Sequence, residues 1–220
     1  MSLGDRPIEL ARTFARKLYR RFDTTFRRTW TALVPDEASE AEYRRVLDVQ
    51  YQVADPFKMA SAKEQFRFAE TNRLLAAGLI APQSRVGSIL EIGCGEGHQS
   101  EYFSRLCDRV TGIDTAADAV GRGRGRVPGA ELIVGDLRDQ SWANDQGRFD
   151  IVTACEVIYY FKDIPGILRQ MSRLGRACFV TYLRPAAYLV EGPLKAMPRG
   201  GRAAFVFEDV EWRAAWWRAP

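Results

Sequence analysis

The stretch Ser88-Ile89-Leu90-Glu91-Ile92-Gly93-Cys94-Gly95-Glu96-Gly97-His98 decides the fold. An apolar strand runs into a loop with glycine at every second position, and a helix opens directly after it. Glycine there lets the chain turn sharply and lets a ligand approach the main chain. The helix start beyond it offers unpaired N–H groups. A nicotinamide dinucleotide fingerprint, G-x-G-x-x-G counted from Gly93, would need glycine at His98 and fails. The pattern present is E-x-G-x-G-x-G. Glu91, at the end of the strand, would repel a pyrophosphate but could accept a hydrogen bond from an ammonium group. The ligand implied has a positively charged amino-acid part.

Around this segment the texture is consistent. Short apolar runs at Ser88–Ile92, Arg109–Ile113, Glu131–Val134, Asp150–Ala154 and Ala177–Tyr182 read as strands. Helical patterns at His98–Cys107, Ala116–Arg126 and Ile164–Leu174 separate them. Wholly apolar strands alternating with helices predict a doubly wound α/β fold, a parallel sheet covered on both faces. The Val-, Phe- and Trp-rich end, Ala203–Trp217, predicts a closing antiparallel hairpin around Glu208-Asp209. The alternating Gly-Arg run Gly121–Arg126 reads as a glycine-diluted helix with its arginines in solvent rather than as an RNA-binding tract.

The first sixty residues differ. Leu10, Phe14, Leu18, Phe22, Phe26 and Trp30 recur at helical spacing, with eight Arg or Lys between Arg6 and Arg28. Two more helices are expected at Ser39–Gln50 and Ser61–Gly78, the latter opened by a capping box, Ser61-x-x-Glu64. We therefore divide the chain into a helical cap, 1–60, and a sheet domain, 61–220. The basic cap helix would suit an anionic membrane surface or a nucleic-acid backbone. Packing on its own domain, with arginine heads at the rim, is the expectation adopted.

Length and composition close off other classes. The chain has 220 residues, 46% hydrophobic and 27% charged, which fits one globular domain with an appendage. Its +4 net charge permits an anionic partner without requiring one. The longest apolar stretch, Leu74–Ala81, is too short to span a membrane, and no secretory leader is recognisable. Four scattered cysteines, Cys94, Cys107, Cys155 and Cys178, form no Cys-x-x-Cys pair and read as reduced cytosolic thiols. With His98 as the single histidine, multi-histidine metal chemistry is excluded and no metal is expected.

The glycine segment resembles motif I of class I S-adenosylmethionine-dependent methyltransferases, a family with a seven-stranded Rossmann-like sheet. Later landmarks fall in the same order. Asp114 lies 21 residues beyond Gly93, where a ribose-binding carboxylate belongs in a doubly wound sheet. Asp136 matches the acceptor for the adenine amino group, and Leu137 would supply a backbone N–H and an apolar cover to the ring. The implied cofactor set is Glu91, Gly93, Gly95, Gly97, Asp114, Asp136 and Leu137. Arg67 is a candidate for the cofactor carboxylate, with a solvated helical face as its plain alternative. His98 reads as a carboxylate partner or an ordinary first-turn residue. Taken singly, Asp114 and Asp136 also read as turn formers or helix caps.

The run Cys155-Glu156-Val157-Ile158-Tyr159-Tyr160-Phe161 is similar to motif IV of nodulation-protein-S-like methyltransferases, which N-methylate the amino sugar of a chitooligosaccharide. Asp55-Pro56-Phe57 and Lys63-Glu64-Gln65-Phe66-Arg67-Phe68 resemble the Asp-Pro-Trp and Tyr-Glu-Gln-x-(Lys/Arg)-Tyr stretch of that group. Phe57, Lys63 and Phe68 depart from it. The resemblance implies a small-molecule acceptor, an amine or hydroxyl on a sugar-like body as in oligosaccharide biosynthesis, with Glu156 and Tyr159 lining its pocket. Tyr159 and Tyr160 could instead open the helix that follows. A macromolecular (RNA or protein) methyltransferase exploiting the basic cap, and a non-catalytic cofactor-binding module, are the competing readings.

Overall fold

The computed structural model describes residues 40–139 and 147–220. The helix expected over Leu10–Trp30 lies outside them. Two helices come first, α1 (Glu40–Gln50) and α2 (Ala62–Leu79). The alternating part follows as β1 (Val86–Ile92), α3 (His98–Phe103), β2 (Cys107–Asp114), α4 (Ala117–Arg126), β3 (Glu131–Val134) and β4 (Phe149–Cys155). Then come α5 (Ile164–Leu174), β5 (Gly175–Leu183), α6 (Ala187–Leu194), β6 (Gly200–Phe207) and β7 (Val210–Arg218). The strands form one seven-stranded sheet in the order β3-β2-β1-β4-β5-β7-β6. β1 to β5 pair in parallel, while β7 runs antiparallel to β5 and β6 antiparallel to β7.

The reversal of strand order between β1 and β4 is what makes a site. Chains leaving those two strands at their carboxyl ends diverge to opposite sides and open a crevice. One sheet face packs α5 and α6 through Val152, Ile167, Leu168, Met171, Val180 and Trp217. The other packs α2 through Leu74, Leu75, Ile151, Phe179 and Trp212. All five parallel strands fall where the apolar runs predicted them, because strands buried on both sides must be apolar throughout.

The differences are local. The helix expected over His98–Cys107 stops at Phe103, and Cys107 already pairs with Val86 as the first residue of β2. The capping box does not form: Ser61 precedes α2, but its side chain makes no cap hydrogen bond, and Glu64 turns to Arg67 instead. Helix α6 was not expected, because Arg184-Pro185 and Gly192-Pro193 look like turns. Pro185 occupies a 3₁₀ turn, Arg184–Ala186, and Pro193 sits in the last turn of α6. The arginines of the Gly-Arg run are not simply solvated. Arg122 reaches Glu96, Arg124 the Leu132 carbonyl and Arg126 the Glu96 carbonyl. Gly123 permits this, since a Cβ there would stand 2.7 Å from Leu132 and 3.1 Å from the Glu96 backbone. Tyr159 and Tyr160 do not open α5. They form a separate 3₁₀ turn, Ile158–Tyr160, and α5 has its own cap, Asp163 accepting from the Gly166 N–H. Among the described residues, no helix is long and apolar enough to cross a membrane.

Candidate functional site

Gly93, Gly95 and Gly97 all adopt left-handed backbone, with φ of +71°, +50° and +78°. Two of them also lack room for a side chain. A Cβ on Gly93 would lie 2.6 Å from Val157, and one on Gly95 would lie 2.7 Å from the Tyr51 hydroxyl. The loop is thus roofed from two directions, by the segment after β4 and by the end of α1. Asp114, ending β2, clamps it from the side. Its Oδ2 accepts from the Gly95 N–H at 2.8 Å and its Oδ1 from the Ala116 N–H at 2.9 Å. The turn-forming role is thus filled, with both oxygens of the carboxylate on main-chain donors. Burial pushes its pKa up, and those main-chain donors pull it back.

Glu91 is buried beneath the loop and accepts from the Ser100 hydroxyl. Burial raises its pKa to about 8, with Ser100 and Arg67 opposing the shift. Arg67 is not on a solvated face: it is 3% exposed. Its Nε donates to Glu64 Oε2 at 2.5 Å, and its guanidinium carbon lies 4.4 Å from the Phe68 ring centroid. Burial alone would depress the Arg67 pKa, but the Glu64 carboxylate outweighs it and holds the group charged. Glu156 and Glu91 are both within its electrostatic reach. Three carboxyl groups, Glu64, Glu91 and Glu156, thus lie within reach of one guanidinium, and Glu91 is protonated below pH 8.

Glu156 follows β4 with φ +59°, an uncommon conformation for a residue with a side chain and one that accumulates at functional positions. Its N–H donates to the Thr181 carbonyl, and its Oε2 accepts from the Tyr159 hydroxyl at 3.1 Å. Tyr160 packs against Tyr159 with ring centroids 4.8 Å apart. The two residues expected to line the acceptor pocket are therefore in direct contact. They are joined to the cofactor loop through Val157.

Asp136 lies past the end of β3. Its Oδ1 accepts from the Arg138 N–H, and its carboxylate pairs with the guanidinium groups of Arg138 and of Arg44 on α1. Leu137 is buried, and its carbonyl accepts from Gln170. Glu91, the glycines and Asp114 thus share the carboxyl edge of β1 and β2, while Asp136 and Leu137 follow the neighbouring strand β3.

Sequence reading missed a hub at Glu96. Its carboxylate accepts from the Asp55 N–H at 3.0 Å and from Arg122 Nε at 2.7 Å, and His98 Nε2 lies 3.5 Å away. Arg122 also donates to the Tyr51 carbonyl at 2.6 Å. Asp55, Glu96 and His98 bring possible metal-ligand atoms within 4.8 Å of one another, but Arg122 already supplies Glu96 with a cation. His98 stacks on Phe68. Burial, then the Arg126 charge, lowers its pKa and keeps the imidazole neutral. The signal for the hub was Glu96 itself, an acid inside a glycine loop facing an Asp-Pro turn.

The groups fit S-adenosylmethionine. The left-handed glycines expose main-chain groups of the loop to a ligand, and Glu91 at its base suits the ammonium. This assignment predicts a pH optimum for binding S-adenosylhomocysteine. A complex with an ionised carboxylate against an ammonium holds one proton between the two groups. Below pH 8 the free partners hold two, so one is released and affinity rises by up to tenfold per pH unit. The amine of a free amino acid, beside its own carboxylate, titrates roughly a unit or more above the value near 8 of a chain terminus, so affinity falls only once that higher pH is passed. Calorimetry from pH 6 to 9.5 should show affinity rising to a maximum reached near pH 8 and held to about pH 9, and a flat profile would remove Glu91 from that role.

Comparison with known proteins agrees with this geometry. A family model for the methyltransferase domain matches residues 59–218. Nodulation protein S of Sinorhizobium fredii is 30% identical over 139 residues, 63% of this chain and 60% of that protein. A ubiquinone biosynthesis O-methyltransferase of Xanthomonas oryzae is 34% identical over 145 residues, 59% of this chain and 60% of that one. The chain thus spans less than two thirds of the length of these curated relatives. The crystal structure of the N-methyltransferase NodS from Bradyrhizobium japonicum WM9 with S-adenosyl-L-homocysteine superposes with a TM-score of 0.68. That match has 23% identity and covers 80% of this chain and 97% of that one, a likeness of fold.

Proposed function

The chain belongs to the methyltransferase-domain family, whose cofactor is S-adenosylmethionine, and from that premise we propose that it methylates an amine or hydroxyl of a small, sugar-like acceptor. The observation that carries the reading is the Glu156–Tyr159 pair, held at a strained backbone position and seated on the cofactor loop. S-adenosylmethionine supplies an electrophilic methyl group on a sulfonium, so the protein chiefly has to orient a nucleophile in line with it. The Glu156 carboxylate accepts a hydrogen bond from the incoming N–H or O–H and takes up the proton as the new bond forms. The Tyr159 phenol holds that carboxylate, and the two tyrosine rings offer a flat wall to a sugar. An acceptor amine that is protonated in solution first gives up that proton, and its freed lone pair then attacks the methyl carbon as the carbon–sulfur bond of the sulfonium breaks.

Within this reading Glu91, Gly93, Gly95, Gly97, Asp114, Asp136, Leu137 and Arg67 hold the cofactor. Residues 1–60 form a cap and residues 61–220 the methyltransferase domain. The proposed setting is cytoplasmic, with no resident metal.

The test is transfer of labelled methyl from S-adenosylmethionine to pools of amino sugars, hydroxylated small molecules and RNA. Labelling confined to RNA would overturn the small-acceptor reading. With an acceptor in hand, Glu156→Gln should lower kcat by about 100-fold, the lower end of what a positioned general base contributes. Affinity for S-adenosylhomocysteine should stay within about twofold, since Gln retains the shape. An unchanged kcat would move the chemistry elsewhere.

A further inference from the structure

We propose that the Tyr51 hydroxyl is a cofactor-binding group, contributed by the cap and aimed into the glycine cradle. The inference rests on the cofactor reading of the Gly93–Gly97 loop and adds a residue that the motifs do not contain. Tyr51 follows the last turn of α1, its N–H donating to the Leu47 carbonyl. Two contacts hold it in place. Its carbonyl accepts from Arg122, and its ring meets Phe57 edge-on with centroids 5.5 Å apart. So held, the phenol oxygen stands 2.7 Å from where a Gly95 Cβ would be.

Three observations point to a ligand rather than to packing. The Tyr51 hydroxyl makes no hydrogen bond to any described residue, although the carbonyl of the same residue does. Tyr51 is half-buried, so the unbonded hydroxyl stays open to a polar ligand. Asp114, Tyr160, Cys94 and Glu96 are within its electrostatic reach, and Asp114 binds the N–H of the same Gly95 against which the hydroxyl stands. Gly95 is also the loop position whose missing side chain lets the hydroxyl stand directly against the main chain of the glycine loop. Burial and the nearby Asp114 carboxylate push its pKa well up, so the hydroxyl keeps its proton and acts as a donor.

Tyr51→Phe is the decisive variant, because it keeps the ring on Phe57 and removes only the oxygen. Titration of S-adenosylhomocysteine into wild-type and variant protein should show about three- to tenfold weaker binding for the variant, the range of one hydrogen bond. The melting temperature of the ligand-free protein should stay the same. Equal affinity of wild-type and Tyr51→Phe protein overturns the inference, as does tighter binding by the variant, which would mean that the hydroxyl obstructs the cradle. If wild-type protein bound no S-adenosylhomocysteine, the cofactor reading would fall with it. Asp114→Ala in parallel tells the two failures apart.

Discussion

Asp114→Ala is expected to weaken S-adenosylhomocysteine binding by at least about 100-fold. In the proposed site this carboxylate accepts from both ribose hydroxyls. Hydrogen bonds to a charged group are worth about 1.5–3 kcal/mol each, and each 1.4 kcal/mol is tenfold in affinity. Losing two therefore removes between two and four orders of magnitude. A second effect adds to this. The same oxygens hold the Gly95 and Ala116 N–H groups at 2.8 and 2.9 Å, so truncation also releases the loop that forms the cradle. Asp114→Asn should be milder, because one amide oxygen still accepts while the NH₂ faces a donor. Calorimetry on both variants, with melting temperatures alongside, checks the order. Near-wild-type affinity for the alanine variant would take Asp114 out of the cofactor site.

That carboxylate also marks how far the sequence could be read. Its place followed from two one-dimensional signals, an apolar strand ending in an acid and the distance from the glycine loop. The strands were legible because a parallel sheet covered on both faces makes them predominantly apolar, as in Ile151-Val152-Thr153-Ala154, where Thr153 satisfies its hydroxyl on the Leu90 carbonyl. Tertiary partners were not legible. On α2 the pattern left Arg67 open between a ligand-facing and a solvated position, and it is buried only because Phe68, Met59 and Glu64 close round it. The Gly-Arg run looked solvated, since nothing local says that Arg122 would meet Glu96 across 26 residues. Tyr51 carried no pattern at all. Its role depends on a turn, Asp55-Pro56-Phe57, folding back onto the glycine loop. Helix α6 was hidden for a different reason, because Gly192-Pro193 is ordinarily punctuation.

Arg67→Met is expected to destabilise the ligand-free protein by about 3–5 kcal/mol, the cost of breaking a buried pair and leaving one charge behind. Arg67 and Glu64 are 3% and 4% exposed, and water cannot replace the lost partner. Lys63, 3.7 Å from Glu64 Oε1 and partly exposed, offers some compensation and places the result toward the lower end. The double variant Glu64→Gln, Arg67→Met removes both charges and should recover most of the stability, because a buried pair is weakly stabilising as a whole. Stability and binding then separate. If Arg67 holds the cofactor carboxylate, the double variant folds but binds S-adenosylhomocysteine weakly. The pH profile adds a readout that packing would not move. Arg67 is one of the groups lowering the Glu91 pKa from its buried value, so its removal raises that pKa further and carries the onset of the binding maximum above pH 8. A double variant that folds, binds as the wild type does and keeps the same optimum would leave Arg67 as a core residue with no part in the site.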